Sequence, residues 1–126
     1  MIEFKNNITR DEVRANRDKI YIFGDNLLGV GHGGQAREMR GEPNTIGIPT
    51  KRSPSEFLSD GDYYQAAPLI IAKFGAIKGH LQCGRAVVIP GAGVGTGLAD
   101  LPNKAPKIWG MIRENLESLG WKSKGD

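Results

Sequence analysis

Two glycine-rich stretches, and the polar residues beside them, carry what chemistry this chain offers. The first is Gly24-Asp25-Asn26-Leu27-Leu28-Gly29-Val30-Gly31-His32-Gly33-Gly34-Gln35. The second is Pro90-Gly91-Ala92-Gly93-Val94-Gly95-Thr96-Gly97. Bare backbone at such a loop can turn several N–H groups onto a phosphate or a carboxylate. Two of them suggest a nucleotide or pyrophosphate held between. His32 is either a phosphate donor or proton-transfer group, or an exposed loop histidine. Asp25 and Asn26 either cap the turn or face the ligand. Lys51, close behind an apolar run, is a surface charge or, once desolvated, a nucleophile. Asp100 is a general acid/base or a charge at a helix N-terminus.

Positioning these residues requires strands that end where the loops begin. Ile20-Tyr21-Ile22-Phe23, Thr45-Ile46-Gly47-Ile48 and Arg85 to Ile89 read as buried strands, the second ended by Pro49. Ile2 to Lys5 alternates as a short edge strand. Thr9 with Glu12 makes a capping-box pattern, predicting a surface helix from Thr9 to about Lys19 with solvated charges. Gln35 to Arg40 is predicted as two helical turns and Gly41 to Asn44 as a turn. Thr50 to Ser55 is predicted as a polar loop. A long helix is expected over Tyr63 to Leu81, with Leu69, Ile70, Phe74 and Ile77 inward and Pro68 within it. A last helix opens at Pro102 or Asn103, buries Ile108, Met111 or Ile112, and Leu116, and stops at Gly120. Trp121 to Asp126 reads as a short basic tail.

Strands separated by helices give the α/β class, with a mixed sheet and helices on both faces as one three-layer domain over residues 1–126. Ligands of open α/β sheets sit beyond the carboxyl ends of the strands, which puts both loops and Lys51 on one edge. Gly29 to Gly34 satisfies GxGxxG, but Asp25 to Leu28 separate it from its strand. The next strand ends in Pro49-Thr50-Lys51 instead of an acid, so the dinucleotide fingerprint is poorly met. No Gly-Lys-Ser/Thr follows, which excludes a Walker loop.

The chain has 126 residues, 18 glycines and a net charge of +3 without a basic stripe. Nucleic acid is therefore not the expected partner. The single cysteine, Cys83, excludes an internal disulfide and is expected in the core. Two histidines without paired spacing make no metal site. With no apolar run of about 20 residues and no leader pattern, a cytoplasmic protein off the membrane is expected. No cofactor is expected.

Taken in order, several segments resemble the macrodomains, ADP-ribose-binding α/β modules. Ile2 to Ile8 is similar to their opening strand and its Gly-Asp-Leu/Ile turn. Val30-Gly31-His32-Gly33-Gly34-Gln35-Ala36 resembles the ligand loop written Met-Gly-Ala-Gly-Ile-Ala. Ile48-Pro49-Thr50-Lys51 resembles Leu-Val-Thr-Lys. Ile89 to Leu101 resembles Pro-x-Ile-Gly-Cys-Gly-Leu-Asp-x-Leu. The last two point to the compact branch with terminal ADP-ribose glycohydrolases. Gly24-Asp25-Asn26-Leu27 also resembles small macro-like proteins of phages and bacteria.

The resemblance implies an ADP-ribose-like ligand. Asn7 would lie near the adenine and Asn26 near the distal ribose, the loop Gly29 to Gln35 would hold the distal ribose and diphosphate, and Gly24 and Asp25 would also be at the ligand. Gly31, His32, Gly33, Gly34, Gln35 and Thr50 would line the site. Gly91, Gly93, Val94, Gly95, Thr96 and Gly97 would wrap the diphosphate. In the hydrolytic branch Lys51 would be the nucleophile and Asp100, or as the second choice Asp25, the acid/base. Two positions depart from the pattern: Asn7 replaces the adenine-reading aspartate, and Ala99 stands where the catalytic aspartate falls, one place before Asp100. Hydrolysis of ADP-ribosyl linkages, sequestration of a ligand without turnover, and a protein-interaction module all follow as readings.

Overall fold

The computed structural model describes residues 1–123. Its strands are β1 (Ile2–Lys5), β2 (Ile20–Asn26), β3 (Thr45–Ser53), β4 (Glu56–Phe57) and β5 (Val87–Pro90). Its helices are α1 (Arg10–Ala15), α2 (Ala36–Met39), α3 (Tyr63–Gln82), α4 (Leu101–Lys104) and α5 (Pro106–Ser118). The sheet order is β1-β5-β2-β3-β4, parallel except for β4, which runs antiparallel to β3. This is an α/β fold with a mixed sheet.

Strand alternation divides the core between two faces. Ile20, Ile22, Ile48, Val87 and Ile89 pack with Ile70, Phe74 and Ile77 of α3 and Ile108, Ile112 and Leu116 of α5. Tyr21, Phe23 and Val88 turn the other way onto Val13 of α1 and Ala36 and Met39 of α2. Loops leaving the adjacent strands β2 and β5 therefore depart to opposite faces. That divergence opens a crevice beyond their carboxyl ends, the usual place for a ligand in such sheets.

Several elements differ from the sequence reading. Helix α1 stops at Ala15 rather than Lys19. The cause is Asn44, whose Nδ2 donates to the carbonyls of Val13, Asn16 and Lys19 at 3.0–3.1 Å. Thr9 caps α1 by accepting from Glu12 N–H, but the Glu12 carboxylate accepts from the Tyr21 hydroxyl and pairs with Lys5. Burial and that carboxylate hold the Tyr21 phenol protonated far above its ordinary range. Helix α2 has one turn rather than two, because Arg40 leaves helical geometry at ψ 132°.

Pro49 does not end β3. Between Asp25/Pro49 and Asn26/Lys51 the register shifts by one, so Thr50 is skipped and the strand continues to Ser53. A bulge tolerates a residue with no N–H to give. Leu69 faces outward, and Ala66 and Ala67 take the buried positions ahead of Ile70. Cys83 is exposed just after α3. The last helical stretch breaks at Ala105 because Pro106 restricts the residue before it. Helix α5 ends in a Schellman motif: Trp121 N–H donates to Leu116 O and Gly120 N–H to Glu117 O, with Gly120 at φ 104°. Trp121 is thereby drawn into the core and is not part of a tail. The rest of the predicted tail, from 124 on, lies outside the described residues.

The charges of α1 and of the turn that follows it are not simply solvated. Arg10, Arg14 and Arg17 converge on the buried Glu42 at 2.5, 3.1 and 2.7 Å. Arg10 also donates to the carbonyls of Arg37 and Arg40, tying α1 to the end of α2. Hydrogen bonds from Arg17 and then Arg10 hold the Glu42 carboxyl down at about 2. The folded state therefore binds this proton less readily than the unfolded chain does. The stabilisation is complete above the unfolded value of 4.5 and is lost as pH falls toward about 2. Melting curves between pH 5 and 2 are expected to fall less steeply for Glu42→Gln than for the wild type. Parallel curves would remove Glu42 from the acid response.

Candidate functional site

The crevice beyond β2 and β5 is a cavity of about 290 Å³, near the lower end of the ~300–1,000 Å³ of small-molecule sites. Its wall takes Gly24, Asp25 and Asn26 from the end of β2, and Gly31, Gly33, Gly34 and Gln35 from the first loop. β3 gives Thr50 and Lys51, and the second loop gives Gly93, Gly95, Thr96 and Gly97. Sequence reasoning anticipated all of these. Asn7, His32, Gly91, Val94 and Asp100 are not in the wall.

Each of those five has a local reason. Asn7 turns the chain at φ 55° after β1 and is exposed. His32 points to solvent. Gly91 serves packing: a Cβ there would collide with Asn6 Oδ1. Val94 is fully buried in the core. Asp100 precedes α4 at φ 48° and its carboxylate accepts from Asn103.

Gln35 joins the two loops. Its Oε1 accepts from Gly24 N–H at 2.7 Å and its Nε2 donates to Gly93 O at 3.2 Å. The Thr50 hydroxyl donates to Asp25 O at 3.0 Å, fixing the bulge to β2. Asn26 is occupied within its own loop. Its Nδ2 donates to Val30 O at 2.7 Å and its Oδ1 accepts from Leu28 N–H at 3.1 Å. This is a self-bonded turn, so the amide serves the loop.

Val30, which lies in the predicted ligand loop, is joined in the wall by Ala36, Arg40, Pro54, Leu98 and Ala99, which sequence reasoning did not assign to the site. Arg40 matters most. Its guanidinium folds back over the Phe23 ring, pairs with Asp25 and donates to the carbonyls of Val30 and Gly31. An acid and a base flanking one glycine loop was the only signal in the chain. By drawing two loop carbonyls to itself, Arg40 keeps their negative ends off any anion in the cavity. Arg40→Ala is expected to weaken ligand binding about tenfold, with Arg40→Lys restoring little, because a lysine lacks the fork. Calorimetry on both variants checks this, and full rescue by lysine would contradict it.

Lys51 forms part of the wall, but its ammonium is held elsewhere. Nζ donates to Pro54 O at 2.7 Å and lies over Phe57. The Asp25–Arg40 pair is internally neutral, so Lys51 leaves the lining with a positive balance. Among the described residues no group of His, Cys, Asp and Glu could hold a metal ion. No helix among them is long and apolar enough to cross a membrane.

Fold and site define an α/β domain with a two-loop cleft between diverging strands. The chain belongs to DUF7831, a family of unknown function, whose family model matches residues 3–115. That span contains the whole cavity wall. No curated protein matches the chain, and no solved structure does.

Proposed function

We propose that the cavity binds ADP-ribose or a related nucleotide diphosphate, and binds it without turnover. The observation that carries this is a set of glycines the fold itself does not require. Gly33 and Gly97 have no left-handed φ, and a Cβ on either would meet nothing within 4 Å. On Gly24 it would make only ordinary contacts at 3.5 Å. Glycine at such places lowers stability unless backbone must stay open to something outside the fold. A ligand seated on the N–H groups of both loops is that something.

The cavity takes part of such a ligand, leaving the rest to lie over the exposed rim side chains Val30 and Leu98. The binding-only form is favoured because the Lys51 ammonium is held on Pro54 and Asp100 lies outside the wall. Hydrolysis would need Lys51 to leave that carbonyl. Calorimetric titration with ADP-ribose, with AMP and NAD as controls, tests the reading. Micromolar binding of ADP-ribose is expected. No heat and no thermal shift with any of the three would overturn it.

A further inference from the structure

The mouth of the cavity carries residues that this reading leaves unused. In the β3–β4 pair Lys51 stands opposite Phe57, an aromatic ring left 41% exposed. Two ammonium groups lie over that one ring, Lys51 Nζ at 5.3 Å and Lys104 Nζ at 4.8 Å from its centroid. Lys104 is the last residue of α4, the helix that follows the second glycine loop. One lysine thus lines the cavity, and the other reaches the same ring from the side of the opposite loop.

The carboxylates on these segments are hydrogen-bonded to other groups. Asp62 pairs with Arg52. Asp60 accepts from Lys107 N–H, Glu56 from the Ser53 hydroxyl and Asp100 from Asn103. Among the described residues neither Lys51 nor Lys104 forms an ion pair. The ring attracts each cation, and neither charge is taken up by a carboxylate partner among these residues.

We propose that Lys51, Lys104 and Phe57 form a second anion subsite, taking a phosphate at the end of the ligand that leaves the cavity past Pro54. The ligand class is then a nucleotide with a further phosphate beyond its diphosphate. This rests on the reading that the cavity takes the diphosphate. A phosphate beside the ring is attracted by both ammonium groups, so the gain depends on both lysines.

ADP and ATP, titrated by calorimetry without divalent cation, test it. The wild type is expected to bind ATP about fivefold more tightly than ADP, the scale of one exposed ion pair. In Lys104→Ala the ratio of the two affinities is expected to fall to about one. Equal affinities in the wild type, or an ATP advantage that survives Lys104→Ala, would overturn the subsite. If neither nucleotide binds, the diphosphate reading fails on its own account and inorganic tripolyphosphate decides the subsite. A thermal upshift in the wild type that disappears in Lys104→Ala supports it. No upshift, or the same upshift in both proteins, overturns it.

Discussion

Gly33→Glu is expected to fold like the wild type and to lose ADP-ribose by about a hundredfold or more. Nothing lies within 4 Å of the added Cβ, and Gly33 has no left-handed φ, so the backbone accepts the side chain. The loop in which it sits is held by Asn26 and Arg40, neither of which touches that position. The carboxylate is added at the wall of a cavity proposed to hold a diphosphate. Like charges brought together in such a site cost several kcal/mol, and a hundredfold corresponds to about 2.7 kcal/mol. Thermal melting and calorimetry on one preparation separate the two effects. An unchanged Kd would move the ligand away from the first loop. Gly95, in the second loop, is a poorer probe. It sits at φ 89°, and a Cβ there would stand 2.5 Å from Leu101 Cδ1, so substitution disturbs the fold as well.

Gly47→Ala is expected to destabilise the domain by about 2 kcal/mol, although alanine is a mild change in a strand. The added methyl would stand 2.6 Å from Asp25 Oδ2, 2.8 Å from Asp25 Cβ and 2.9 Å from Phe23 Cζ. Neither neighbour is free to yield. Phe23 is buried under the Arg40 guanidinium, and Asp25 is paired with that same group. Displacing either loosens Arg40 and, through it, the carbonyls of Val30 and Gly31. Urea denaturation is therefore expected to show a lower midpoint, accompanied by weaker ligand binding. A midpoint equal to that of the wild type would show that Asp25 can move without cost.

The parts of this arrangement written into short stretches of sequence were legible, and those made by distant contacts were not. Ile20 to Phe23 and the apolar run before Pro90 announce core strands, because burial on both faces leaves no polar residue in them. Glycines clustered after such runs locate the cavity. Pro49 misled because a proline normally stops a strand, and only the pairing with β2 reveals the bulge at Thr50. The end of α1 was invisible because Asn44, which takes its carbonyls, lies far along the chain. Arg40 read only as the last residue of a short polar helix. Its role depends on a helix short enough to release it toward Asp25. Trp121 looked like a tail residue because Gly120 usually marks an end, whereas here the Schellman turn carries the chain inward.

That turn has a practical consequence. Trp121 Nε1–H donates to Gly91 O at 3.0 Å, and its ring would lie 3.1 Å from a Cβ on Gly93. The indole is thus seated beneath the second glycine loop, with Trp109 edge-on at 6.0 Å. These are the only two tryptophans in the chain. The protein's tryptophan emission therefore arises beside the second glycine loop, and a ligand seated on that loop as proposed is expected to change it without any attached dye.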